Sequence, residues 1–256
     1  MRFTKPLLNV FSVIILSVLT LALNSCASTV QTSAMTADER FAYAKSLFDD
    51  ENTLEAMREF EAITLQYPGS EVVDDAQFYL GMSRFERSEY LIAASEFSRL
   101  INNMTASPLV AEAQFMLAEC YYQLSPKYPL DQRFTRKANE EFQAFIDFFP
   151  TDKRVEEAEN KISELSDKLA MKEFNAAEIY ERMEYYNAAL FYYEMIMEVY
   201  HDTPYASRAA YNMIQILLIK DRTDEAIKEI NNFLIKFPTD PNYERITNLK
   251  ASLQGS

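Results

Sequence analysis

This chain of 256 residues is poor in the side chains that carry most enzyme chemistry. It has one histidine, His201, so a histidine-based nucleophile or general-base constellation has almost nothing to build on. Its three glycines, Gly69, Gly81 and Gly255, lie far apart, and no glycine-rich loop can cradle a phosphate. Two cysteines, Cys26 and Cys120, have no metal-ligand spacing with any histidine, so the sequence implies neither a metal nor a cofactor. Tryptophan is absent, and basic residues are outnumbered 25 to 39, for a net charge of −14. Setting aside Arg2 and Lys5 at the start leaves −16 on the remainder, which argues against nucleic acid as a partner.

What the chain has is repetition. Ala56 is followed by Phe60 and closed by Pro68, Ala93 by Phe97, Ala138 by Phe142 and Pro150, and Ala226 by Ile230 and Pro238. A degenerate copy is read at Ala188 with Tyr192. Alanine and a bulky residue four apart share a helical face, and units of roughly 34 residues with that signature read as stacked helical hairpins. The predicted class is all-α, a solenoid of about five hairpins, and such arrays are binding surfaces.

The first 25 residues contain no acid and run from Arg2 and Lys5 into the apolar stretch Val10 to Leu23, which fits a signal peptide and is short for a membrane span. The run ends in Leu23-Asn24-Ser25-Cys26, which resembles a bacterial lipobox and implies lipidation of Cys26. Two or more acyl chains anchor a protein stably where one does not. Residues 26–36 are small and polar, a flexible tether without an acid just after Cys26. With Cys26 acylated no internal disulfide remains, and Cys120 reads as a small buried hydrophobe.

Thr36 and Glu39 form a capping-box signature, so the folded body begins near residue 37. Residues 37–150 carry the first three hairpins. Within the third, Ser125 to Arg136 is an insertion whose two prolines exclude helix. Residues 151–253 carry a long amphipathic helix from about 153 to 183, read as a connector or, second, as a coiled coil, then two further hairpins and a short capping helix over 242–253. The acidic residues fall on solvent-facing positions, and no catalytic role is expected.

Eight of the 16 tyrosines lie between Tyr180 and Tyr211. Adjacent Tyr192 and Tyr193 point roughly 100° apart on a helix, so one face cannot bury them all, and amphipathic aromatics left at a surface make interface anchors. Tyr192 and Tyr180 are expected to fill the hairpin core, and the rest to form a protein-binding patch.

The Leu-Gly or Leu-Ala pairs Leu80-Gly81 and Leu117-Ala118, followed by Ala and Phe four apart, resemble the tetratricopeptide repeat. With the lipobox and the runs Leu169 to Tyr180, Tyr186-Asn-Ala188-Ala189 and Tyr200-His-Asp202-Thr203-Pro204, the chain resembles the BamD family of outer-membrane assembly lipoproteins. It departs from that family's pattern at Glu184, where glycine is usual, at His201, where proline is usual, and at Tyr192, where a basic residue is usual. The resemblance implies a periplasmic, lipid-anchored scaffold at the outer membrane. It would hold the periplasmic domains of BamA through its C-terminal half and receive unfolded outer-membrane β-barrel proteins and other assembly lipoproteins. Tyr185, Tyr186, Tyr192, Tyr193 and Asp202 are the candidate BamA-facing residues. The alternative is another periplasmic tetratricopeptide adaptor, coordinating envelope or division processes.

Overall fold

The computed structural model describes residues 31–254, and the signal peptide, Cys26 and the first part of the tether lie outside them. Among the described residues there is no strand. Eleven α-helices follow a short 3-10 turn at Thr32–Ala34: α1 (Ala37–Asp49), α2 (Thr53–Gln66), α3 (Val73–Glu86), α4 (Tyr90–Asn103), α5 (Val110–Leu124), α6 (Arg133–Phe148), α7 (Val155–Arg182), α8 (Tyr186–Val199), α9 (Pro204–Ile219), α10 (Thr223–Lys236) and α11 (Tyr243–Gln254). Each helix packs mainly on its predecessor and its successor, so the chain is a linear array of five antiparallel pairs closed by α11. None of these helices is long and apolar enough to cross a membrane.

The first helix starts where its cap dictates. Thr36 Oγ1 accepts from the Glu39 amide at 3.3 Å, and Glu39 returns by accepting from the Thr36 amide at 2.9 Å, satisfying two otherwise orphaned donors.

Four of the five pairs turn the same way. Glu51, Ser88, Glu184 and Asp221 adopt φ of 61, 60, 62 and 55°, and the amide after each reaches back to a carbonyl five residues earlier, as in Asn52 to Leu47 at 2.8 Å and Tyr185 to Tyr180 at 2.9 Å. This is a Schellman-type closure that satisfies carbonyls at the end of the first helix of each pair. Nine residues beyond each left-handed position sits the side chain that fills the pair: Phe60, Phe97, Tyr193 and Ile230, all wholly buried. That constant spacing corrects the register read from the sequence. The core pair of the fourth hairpin is Ala189 with Tyr193, both fully buried, and Ala188 and Tyr192 lie one position toward the surface.

Opposite the aromatic fillers Phe60, Phe97, Phe142 and Tyr193 is a small residue, whereas Ile230 meets Ile214. At Ala44, Gly81, Ala118 and Ala177 the backbones approach, and Gly81 is the extreme case, since a Cβ there would lie 2.7 Å from the Phe97 ring. Polar clasps add a second link between the paired helices. Gln77 donates to the Glu96 carbonyl and carboxylate at 3.1 and 2.9 Å, and Gln114 does the same with Glu141 at 3.1 and 2.8 Å. In the first pair Arg40 takes the place of glutamine and meets Glu59 at 2.6 Å.

The insertion is shorter as a loop than the prolines suggested. Helix α6 begins at Arg133, so only residues 125–132 are irregular, because nothing after Pro129 blocks helical backbone and Gln132 completes the preceding loop. Gln132 is fully buried, donates to the carbonyls of Lys127, Tyr128 and Leu130, and accepts from Thr135 Oγ1 at 2.6 Å. Lys168 and Lys172 of α7 bind Ser125 Oγ and the Leu130 carbonyl at 2.9 and 2.6 Å. The bonds to the Lys127, Tyr128 and Leu130 carbonyls satisfy acceptors that irregular backbone leaves without a helical partner.

Helix α7 runs for 28 residues, about 42 Å. Ala158 and Leu165 in its first half join the core of Phe142 and Phe145, whereas Phe174 and Ala177 in its second half join the core of Tyr193 and Ile196. It is therefore the first helix of the fourth hairpin and the strut between two cores. Cys120 sits fully buried in the core of the second and third hairpins, where desolvation pushes its thiol up.

Candidate protein-binding site

The tyrosine-rich segment is distributed over α7, α8, α9 and their turns, and the five candidate residues do not share one environment. Tyr193 is wholly buried: its hydroxyl donates to Glu181 Oε2 and accepts from Asn212 Nδ2, both at 2.8 Å, tying α7, α8 and α9 together. Burial first, and the Glu181 carboxylate with it, pushes its hydroxyl up, so it stays protonated and serves as that donor. This corrects its assignment as partner-facing, since a side chain already enclosed by three helices offers no surface.

Tyr192 also differs from expectation. It is half-buried and stacks on Tyr180 with centroids 5.4 Å apart and rings 14° from parallel, while Phe191 meets its edge at 5.7 Å. Burial, followed by Tyr180 and the Glu173 carboxylate, raises its hydroxyl. Glu173 and Tyr192 occupy the positions that hold Gln77 and Glu96 in the second hairpin, so here the acid stands on the first helix in place of the second. Tyr186 is half-buried beside Glu178, Arg182, Asn212 and Ile219 around a groove of about 420 Å³. Tyr185 is 58% exposed, and Asp202 is almost fully exposed beside His201, whose Nδ1 lies 3.5 Å from its carboxylate.

Sequence reasoning passed over most of the exposed apolar side chains around Tyr185. Of the twelve large apolar side chains exposed among the described residues, six fall between 179 and 219: Ile179, Met183, Tyr185, Phe191, Val199 and Ile219. Ile179 and Met183 are one turn apart at the end of α7, leading into the turn that presents Tyr185. Val199 lines a second groove, of about 410 Å³, with Tyr200, Ile162, Leu169 and Gln143. The signal available in the sequence was the crowding of large apolar and aromatic residues between Ile179 and Tyr193, broken only by Glu181, Arg182, Glu184 and Asn187, which exceeds what the helical stripes there can bury.

Beneath this surface, Phe174 packs on Tyr193 and Tyr205 at 5.5 Å each, and the Arg208 guanidinium lies 4.3 Å from the Phe174 ring centroid. That contact uses the ring quadrupole to place a cation against a buried aromatic. No group of three or more metal-ligating residues occurs among the described residues.

A family model described as YfiO, outer membrane lipoprotein, the BamD family, matches residues 33–220. The chain belongs to this family. The match covers the first four hairpins and all of α9, and ends before α10 and α11. No curated protein sequence matches the chain. Similar solved structures include the TPR2AB domain of yeast Sti1 in complex with pHSP90, at 19% identity and TM-score 0.42, covering 85% of this chain and 83% of that one. A tetratricopeptide repeat protein of Parabacteroides merdae is 14% identical with TM-score 0.38, covering 85% and 72%. A thermophilic tetratricopeptide repeat protein of Thermus thermophilus is 15% identical with TM-score 0.36, covering 86% and 100%. These TM-scores are low, and the hairpin array stands on the helix order and packing of this chain itself.

Proposed function

We propose that this protein is a lipid-anchored periplasmic scaffold of the outer-membrane β-barrel assembly machinery, acting by binding and not by catalysis. Cys26 carries the lipid, the hairpins from α1 to α6 receive unfolded outer-membrane proteins, and the C-terminal hairpins hold the periplasmic domains of BamA. The observation that carries this reading is the exposed apolar edge at residues 179–219 in a chain whose family is outer membrane lipoprotein. Tyr185, Phe191 and Met183 replace Tyr193 as the residues on which docking rests, with Tyr186 and Tyr192 at its half-buried margin and Asp202 at its exposed rim. A rigid pair of helices presenting aromatic and thioether side chains suits a partner surface that buries apolar area.

The test is co-purification from detergent-solubilised envelope. Tyr185→Ser combined with Phe191→Ser removes two exposed rings and is expected to lower BamA recovery about tenfold, with the helical circular dichroism unchanged. Full recovery of BamA removes the site. A second reading, a different periplasmic adaptor, draws on Tyr192, which puts a hydroxyl where the family usually has a cation. Normal levels of β-barrel proteins with disturbed septation after depletion would favour it.

A further inference from the structure

The first two turns of α6 gather positive charge in a protein that is otherwise acidic. Arg133, Arg136 and Lys137 lie in the first two turns of α6, around a pocket of about 490 Å³ whose other walls are Leu91, Tyr121, Phe134 and Glu140. Lys137 is neutralised by Glu141 at 2.8 Å and Glu140 at 3.6 Å. Arg133 and Arg136 have no carboxylate within ion-pair distance among the described residues, although the chain as a whole has 39 acids against 25 bases. Arg133 rests on the Phe134 ring at 4.7 Å, and Phe134 stacks on Tyr121 at 6.2 Å, so the guanidinium sits above an aromatic floor.

This placement runs against local electrostatics. Helices α1, α2, α3, α5, α7, α10 and α11 carry acids in their first turn, which suit the positive end of the helix dipole, whereas α6 carries Arg133 and Arg136 there and has only Asp131, just before the helix, accepting from the Arg133 amide at 3.1 Å. Cations gathered at that end repel it and one another, and such a conflict is expected where function requires it. Leu91 is 58% exposed at the rim, so the pocket offers apolar contact beside the charge.

The geometry points to an acidic polypeptide segment with interleaved apolar side chains as the occupant: carboxylates on Arg133 and Arg136, an apolar side chain on Leu91, Tyr121 and Phe134. The alternative anionic surface is a bilayer, and the topology disfavours it. The Met35 carbonyl accepts from the Tyr67 hydroxyl at 2.9 Å, so the start of the folded body lies at the edge where each second helix hands on to the next hairpin. The pocket lies on the other edge, beside the turn preceding α4 and the loop 125–132, one helix length or roughly 20 Å away. The site rests on the reading of α1 to α6 as the substrate-receiving hairpins but is separate from the C-terminal apolar edge, so its failure would leave the BamA-docking reading untouched.

The probe is a blocked, fluorescein-labelled hexapeptide alternating glutamate and phenylalanine, titrated by anisotropy against the full lipoprotein in neutral detergent at low salt. Saturable binding is expected, weakened about tenfold in Arg133→Glu/Arg136→Glu, preserved in Lys228→Glu on the distant α10, and diminished by salt. The double variant replaces exposed cations with acids suited to a helix start, so its melting temperature is expected to hold or rise while binding falls. If it does not fold, Arg136→Gln alone carries the comparison. Equal binding by the variant, or by a hexapeptide with glutamine in place of glutamate, overturns the proposal. Displacement of the peptide by micelles doped with phosphatidylglycerol also overturns it and gives the pocket to a lipid headgroup.

Discussion

The second and fourth hairpins share a backbone plan and differ in what fills it. In the second, Phe97 packs against Gly81 and the helices are joined at one side by the buried clasp of Gln77 with Glu96. In the fourth, Tyr193 packs against Ala177, and the clasp positions hold Glu173 and Tyr192. A phenylalanine filler closes a hairpin on itself. A tyrosine filler cannot, because its hydroxyl must find partners, and it finds them on α7 and α9. The fourth hairpin is thereby bound to the fifth through a polar link that the second hairpin lacks toward the third, and its outer face is free to be apolar.

That contrast is tested most severely at the fillers. Phe97→Ala and Tyr193→Ala are each expected to cost about 3–5 kcal/mol, because both side chains are fully enclosed and the cavities cannot collapse against helices fixed at both ends. The hydroxyl separates them. Tyr193→Phe leaves Glu181 and Asn212 facing an apolar ring and is expected to cost about 1–3 kcal/mol, with hydrogen exchange in α9 accelerating along with that in α8. In the second hairpin the sensitive change is the opposite one, Gly81→Ala, whose added Cβ would press on Phe97 at 2.7 Å and cost about 1–3 kcal/mol. Urea melts of the full chain, with exchange read helix by helix, decide the matter. A Tyr193→Phe protein with undisturbed α9 would break the comparison.

The seam between the two regions is the turn before α7. Arg154 grips Asp152 through Nε and Nη2 at 2.9 and 2.8 Å while its guanidinium lies over Phe115 and Phe145. The Arg154 hydrogen bonds hold the Asp152 carboxyl down to about 2, from an ordinary value of 3.8. A carboxyl lowered on folding gives stability that is complete above pH 3.8 and is lost as pH falls through 2. That amounts to about 2 kcal/mol at most, since the pair keeps some contact with solvent. Asp152→Asn is expected to lower stability at pH 5 and to flatten the loss between pH 4 and pH 2. An unaltered acid profile would show that the turn is held by its aromatic contacts alone.

The array itself was legible because its signal is periodic. Alanine and a bulky residue four apart mark the buried face of the second helix in every hairpin, and the Thr36 capping box marks the first turn. The fourth hairpin misled for a physical reason. Two alanines in succession, Ala188-Ala189, and two tyrosines, Tyr192-Tyr193, satisfy the same spacing in either register, and only the left-handed turn at Glu184 chooses between them. An acid gives no sequence cue for positive φ, so the choice was invisible. The site suffered from the same ambiguity, as a one-residue slip on a helix moves a side chain by about 100° and exchanges the buried tyrosine for the half-exposed one. The apolar edge was missed because Ile179, Met183 and Val199 look like core residues until their faces are assigned. The buried Gln132, Gln77 and Gln114 were unreadable for a related reason, since their partners come from distant or irregular backbone.

The smallest expected effect bears on the turn that set the register. Glu184 adopts φ of 62° at the position where the family usually has glycine, and Ser88 does the same in the second hairpin at 60°. A side chain in the left-handed region costs about 1 kcal/mol through crowding of Cβ against the following carbonyl. Glycine relieves that cost and returns part of it by loosening the unfolded chain. Glu184→Gly and Ser88→Gly are each expected to gain about 0.5 kcal/mol, or roughly 1–2 °C in melting temperature. Glu184→Gly also removes a carboxylate beside Tyr185, so BamA recovery is expected to hold or rise. If Glu184→Gly instead weakens recovery while the fold gains stability, the carboxylate itself contacts the partner, and the acid at this turn is part of the docking surface.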